Sequence, residues 1–169
     1  MSYPQYPSQQ PYQPPQQQFP PQQPWVGAGE PPLWAPYYGA PFAAAVKRFF
    51  KKYATFSGRA SRSEYWWWVL VSTLVSIVLN IIIQSGVHYT AYGSTAGPGT
   101  FIGSALAVIW FLAVIIPSLA LSVRRLHDSN KSGALLLLGL IPFAGAIILL
   151  VFMLIGPDPR GQQYDQPTA

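Results

Sequence analysis

Three apolar stretches, none holding a charged residue, constrain this chain more than any other feature. They run from about Tyr65 to Ile83, Phe101 to Ser122 and Ala134 to Ile155. A bilayer core of about 30 Å needs roughly 20 apolar residues at the helical rise. Buried helices of a soluble protein can be as greasy, but these three would leave too little chain to cover them. Only 9% of the residues are charged, against about 25% in a soluble domain. The expected fold is therefore an all-α membrane protein with three transmembrane helices.

The polar part of the chain is concentrated at its start. Residues 1–41 hold 12 of the 18 prolines, with Glu30 as their one charge. Such a segment is too poor in aliphatic side chains to build a core. It reads as a disordered, partly polyproline-like cytoplasmic tail. Its five tyrosines, Tyr3, Tyr6, Tyr12, Tyr37 and Tyr38, suit docking of a cytoplasmic protein partner. The N-terminus has no basic region followed by an apolar core, so no cleavable secretion signal is expected. The absence of cysteine excludes disulfides, thiolate metal sites and thiol nucleophiles.

Lysines and arginines set the expected orientation. Six of the ten lie between Lys47 and Arg62, and Arg124, Arg125 and Lys131 lie between the second and third stretches. The connector Gln84 to Thr100 has none and reads as a flexible external loop. The N-terminus is then cytoplasmic. Pro142 and Gly145 interrupt the third stretch, which could kink across the bilayer or fold back as a re-entrant hairpin. The reading favours the kinked span and an external C-terminus, because non-helical backbone in lipid must find partners.

Residues 42–56, "FAAAVKRFFKKYATF", place Phe42, Val46, Phe49, Phe50, Tyr53 and Phe56 within one arc of a helical wheel. Lys47, Arg48, Lys51 and Lys52 fall on the other side. That pattern predicts a basic amphipathic helix lying in the headgroup plane against anionic lipid, with continuation of the bundle or packing against it as the alternative. The polytopic membrane domain follows over residues 57–167. Ser61 and Glu64 fit a capping box at the head of the first span. The aromatic run Tyr65, Trp66, Trp67 and Trp68 suits the membrane interface.

Arg59, Arg62, Glu64, Arg124, Arg125, His127 and Asp128 should gather at the cytoplasmic boundary as a structural or lipid-headgroup cluster. Glu64 is expected to pair with Arg124 or Arg125, since a desolvated carboxylate needs a partner. Guanidinium forks suit phosphate oxygens, so anionic lipid is the expected ligand class. Asp128 reads as an N-cap or turn former. His127 beside Asp128 suggests an acid–base pair, but neighbours in sequence seldom face each other and no nucleophile or metal set accompanies them. Catalysis, cofactors and a nucleic-acid partner are not expected. Within the first span, Ser72, Ser76 and Asn80 recur one helical turn apart as a packing stripe, with Gln84 continuing it. Pro117 should kink the second span, and Gly103 with Ala107 offers a close helix contact within the bundle or in a homo-oligomer.

Two motifs carry a family resemblance. Phe56, Gly58, Arg59, Arg62, Glu64, Tyr65 and Trp66 form the first; Arg124 through Asp128 with Ser132 and Gly133 form the second. Together they resemble the domain of unknown function 805, a family of small bacterial inner-membrane proteins, over about residues 46–167. The family's usual tail ends in Asp-Pro, where this chain has "RGQQYDQP". The resemblance implies a bacterial envelope location and supplies no catalytic residue. The function expected is non-enzymatic membrane organisation or interaction. A small oligomeric transporter or channel component is the alternative, and a membrane enzyme the third reading.

Overall fold

The computed structural model describes residues 29–165. Residues 1–28 and 166–169 lie outside the described residues, and with them most of the expected disordered tail.

Two long helices form the frame. The first, α2, spans Arg62–Ser85 and opens on the expected capping box, in which the Ser61 hydroxyl accepts from Glu64 N–H and the Glu64 carboxylate accepts from Ser61 N–H. The second, α3, spans Pro98–Asp128, with Pro98 in the first turn where its missing donor costs nothing. Both are long and apolar enough to cross a membrane. Only 6% of the most apolar window of α2, and 22% of that of α3, is buried inside the molecule. A soluble protein would hide such helices rather than display them.

The connector between them is not the loose loop expected from its small residues. Strands β1 (Val87–Thr90) and β2 (Gly93–Ala96) pair antiparallel, with Val87 opposite Ala96 and Thr90 opposite Gly93. Gly97 N–H closes the base on Gly86 O at 2.7 Å. The helices then run antiparallel side by side. Gly103 sits where an added Cβ would lie 2.9 Å from Ile83 N, so the small residue of α3 serves a contact within the molecule.

Pro117 stands inside α3 and cannot donate to Ala113 O one turn back. The orphaned carbonyl is not left bare: Tyr53 Oη donates to it at 2.7 Å. A side chain of the segment before α2 thus fastens onto the defect in α3. Lower in the pair, Trp68 stacks on Phe49 with ring centroids 3.3 Å apart and lies near Trp110. Ala60, Val114 and Leu121 complete this small core.

The third apolar stretch is not a single spanning helix. It divides into a 3₁₀ helix, Gly133–Leu140, and a short helix α4, Ala144–Leu154. Each is about 16 Å long at its own rise per residue, half of a bilayer core. The chain reverses at Phe143, whose φ of 57° goes with an Ala144 N–H bond to Pro142 O at 2.6 Å, a γ-turn. Gly145 is required just after it, because a Cβ there would strike Leu138 O. The two arms pack on each other and on α3. Arg125 Nε donates to Met153 O at 3.2 Å, and Asp158 N–H to Asp128 O at 2.8 Å. Both ends of the stretch therefore lie beside the C-terminal end of α3. The favoured kinked span, which would carry the residues after Ile155 to the far end of α3, is corrected to a hairpin that returns Asp158 beside Asp128.

The N-terminal boundary also shifts. Residues 30–41 are folded against the helices, with Ala35 and Ala40 buried. The amphipathic helix, α1, is confined to Phe42–Lys51. It does not present all its cations outward as expected: Arg48 and Lys52 are buried while Lys47 and Lys51 are exposed. The two buried cations turn inward because α1 packs on α2, where the Glu64 carboxylate lies within reach of both.

Candidate functional site

The N-terminus of α2 meets the C-terminus of α3 in a buried ionic cluster of two linked halves. The capping box turns Glu64 back along its own helix, toward α1. There Oε1 accepts from Arg48 Nε at 2.8 Å and lies 3.9 Å from Lys52 Nζ. Oε2 accepts from Ser61 N at 2.9 Å and Tyr37 N at 3.1 Å. Arg48 spends its remaining donors on backbone carbonyls of Pro31, Pro32 and Ala35. Arg48 is 1% exposed and Glu64 3%, so this pair sits in low dielectric with its hydrogen-bonding capacity largely filled. The expected Glu64 pairing with Arg124 or Arg125 is thereby corrected, since Arg48 reaches the carboxylate first.

Burial pulls the Lys52 ammonium down to about 7. Glu64 works to keep the proton on, while Arg48 and Arg124 reinforce the loss. Arg124 is equally hidden: Nε donates to Ala120 O at 3.2 Å, and Nη2 has no partner among the described residues. Its own carbonyl accepts from Ala60 N at 3.0 Å, tying the entry to α2 onto the end of α3.

The second half is built around Asp128 and Asp165. Arg125 Nη1 donates to Asp128 Oδ2 at 2.6 Å, and its other face holds the hairpin through Met153 O and Ile155 O. Tyr38 Oη donates to Asp128 Oδ1 at 2.6 Å. Burial first, and then that hydrogen bond, push the Tyr38 phenol far above its usual range. Asp128 is fully buried, so it is an ionic centre rather than the turn former expected. Arg59 forks onto Asp165, with Nε at 3.0 Å from Oδ1 and Nη2 at 2.6 Å from Oδ2. Burial opposes the Arg59 charge, and Asp165 more than offsets it, holding the guanidinium above its usual range.

His127 and Asp128 face different partners. The imidazole stacks on Tyr164, centroids 3.9 Å apart and 4° from parallel. Its Nδ1 lies 3.1 Å from Gly58 O; a carbonyl only accepts, so Nδ1 carries the proton. Arg62 is exposed at the first turn of α2. No group of three or more His, Cys, Asp or Glu side chains suited to a metal is present among the described residues.

Of the predicted cluster, Arg59, Glu64, Arg124, Arg125, His127 and Asp128 do converge, and Arg62 stays at the rim. Arg48, Lys52, Tyr37, Tyr38 and Asp165 were missed. One signal for Asp165 was available: the chain has five acidic residues against ten basic ones, so each carboxylate is in demand. Because Arg124 and Arg125 are 1% and 0% exposed, neither is free to hold a lipid headgroup.

Two apolar helices of bilayer length, joined at one end by buried ion pairs, define an α-helical membrane protein. The chain belongs to the family described as protein of unknown function (DUF805), whose model matches residues 53–166. Inner membrane protein YhaI of Escherichia coli (strain K12) is 39% identical over 103 residues, covering 60% of this chain and 75% of its own. Inner membrane protein YhaH of the same strain is 34% identical over 122 residues, 67% of this chain and 93% of its own. No solved structure matches. The match begins at Tyr53, so α1 and Arg48 lie ahead of it.

Proposed function

We propose that this protein is a non-enzymatic organiser of a bacterial cytoplasmic membrane, held on anionic lipid by α1 rather than by its arginine cluster. The observation that carries this reading is the exposure of Lys47 and Lys51 beside exposed Phe42 and Phe50 on one short helix. Aromatic rings entering the headgroup layer, with ammonium groups at phosphate level, make an interfacial anchor. In this reading α2 and α3 cross the bilayer and the hairpin dips in from the cytoplasmic side. All ten lysines and arginines then lie on that side, as positive-inside bias favours. The buried ion pairs act as a clasp that joins α1, the hairpin and residues 158–165 in one platform.

Lipid retention tests this. The intact protein, purified from native membranes in mild detergent, should carry anionic lipid. Lys47→Ala with Lys51→Ala should reduce that lipid by about fivefold per lysine, from about 1 kcal/mol each. Retention unchanged in the double variant rejects the anchor. Reporter fusions at Ala169 and within Gly93–Gly97 check the topology, with the first expected inside and the second outside.

A further inference from the structure

The hairpin packs on α3, and one face of α2 stays open. Along it run Ser72, Ser76, Asn80 and Gln84, bordering a shallow groove. A cleft of about 290 Å³ between the two long helices opens onto the same face, with Ser72, Ser76 and Asn80 on one wall and Trp110 and Ser118 on the other. Measured from Tyr65 at 1.5 Å per residue, Ser76 lies about 16 Å and Asn80 about 22 Å along the axis. Both are inside a hydrocarbon layer of about 30 Å.

Polar groups at that depth need partners, and among the described residues those of the stripe are only partly satisfied. Ser72 Oγ is buried and has no hydrogen bond among the described residues, so it is closed to a neighbouring copy and the open face is left to Ser76 and Asn80. Among the described residues Asn80 Nδ2 donates only to Ser76 O of its own helix, at 2.9 Å, and the carboxamide oxygen remains to be used. The occupant follows from the chemistry of the stripe. It carries no charge that an ionic partner would neutralise, and its groups are each both donor and acceptor. Copies inserted with the same orientation bring like depth to like depth about a two-fold axis along the membrane normal. Asn80 then faces Asn80 and Ser76 faces Ser76, so the stripe satisfies itself, and the serines allow close approach.

We propose that this face of α2 is the surface through which two copies of the chain associate within the membrane. The proposal requires α2 to cross the bilayer, and it is independent of the lysines of α1.

The chain has no cysteine, so single replacements report contact directly. In native membranes the full-length variants Ser76→Cys and Asn80→Cys should form disulfide-linked dimers under mild oxidation. Leu74→Cys and Val78→Cys, about 200° around the helix and exposed, should not. Equal cross-linking at all four positions, or none at Ser76 and Asn80, overturns the proposal. So does labelling of those two by a membrane-impermeant thiol reagent in place of cross-linking, which would mark a water-lined path. Cross-linking mainly to other proteins overturns it as well. A second measurement uses energy transfer between labelled copies diluted in liposomes: Asn80→Leu, at a surface position, should weaken association about threefold. Unchanged association overturns the proposal by a route free of cysteine chemistry.

Discussion

Glu64→Gln is the sharpest probe of the clasp. It keeps the shape of the side chain and one carbonyl acceptor, and removes the charge that answers Arg48 at 2.8 Å and Lys52 at 3.9 Å. The carboxylate also accepts from Tyr37 and Ser61 N–H, and an amide NH₂ turned toward either would confront donor with donor. Removing one member of a buried ion pair costs about 3–5 kcal/mol. The upper half of that range is expected, since the capping box and the contact with residues 30–41 both depend on Oε2 of the same carboxylate. Arg48→Met should cost a similar amount, because it strands the carbonyls of Pro31, Pro32 and Ala35 as well as Glu64. The decisive quantity is the coupling in a double-mutant cycle, followed by tryptophan fluorescence during unfolding in mixed micelles. Arg48→Met and Glu64→Gln should couple by at least about 1.5 kcal/mol, whereas Arg125→Met and Glu64→Gln should add to within about 0.5 kcal/mol. If Arg125 coupled as strongly as Arg48, the sequence-based pairing would be right and the Arg48–Glu64 contact would not be the one that holds the clasp.

Two further outcomes rest on single side chains. Tyr53→Phe should destabilise by about 1 kcal/mol, and the loss should shrink in a Pro117→Ala background, where Ala113 O recovers its helical donor; an undiminished loss would mean the hydroxyl does not serve that carbonyl. Lys52 makes stability depend on pH. Below about 7 both folded and unfolded chains hold its proton, between about 7 and its ordinary 10.5 the unfolded chain binds more, and stability should therefore rise with pH over that window. Thermal midpoints from about pH 7 to 10 should show this rise in the parent protein and lose it in Lys52→Met.

How much of the fold and site was legible in the sequence divides along a physical line. Trp68, read as part of an interfacial belt, lies in the core against Phe49, but periodicity and local chemistry carried the capping box of α2 and the convergence of Arg59, Glu64, Arg124, Arg125, His127 and Asp128. Those features depend on neighbours along the chain, or on motifs at span ends. The third stretch was harder, because the apolar run from Ala134 to Ile155 satisfies the length rule for a span whether or not it stays helical. What breaks it is the close approach of Gly145 to Leu138 O and the pull of Arg125 on the carbonyls of Met153 and Ile155. The grip of Arg125 joins residues 28 and 30 apart in the chain, and the lack of room for a side chain at Gly145 exists only because the two arms pack together.

The charges divide in the same way. Hydrophobicity and the clustering of cations were enough to determine a membrane protein with its basic residues beside its greasy segments, because transfer into lipid is a property of composition. Which cation meets which carboxylate was decided by tertiary packing alone. Arg48 looks like a headgroup contact on a helical wheel, yet it is buried because residues 30–41 fold over it and offer carbonyls that the wheel does not include. Ion pairing in low dielectric depends on distances of a few ångströms between segments far apart in the chain, and a linear pattern carries no such distances.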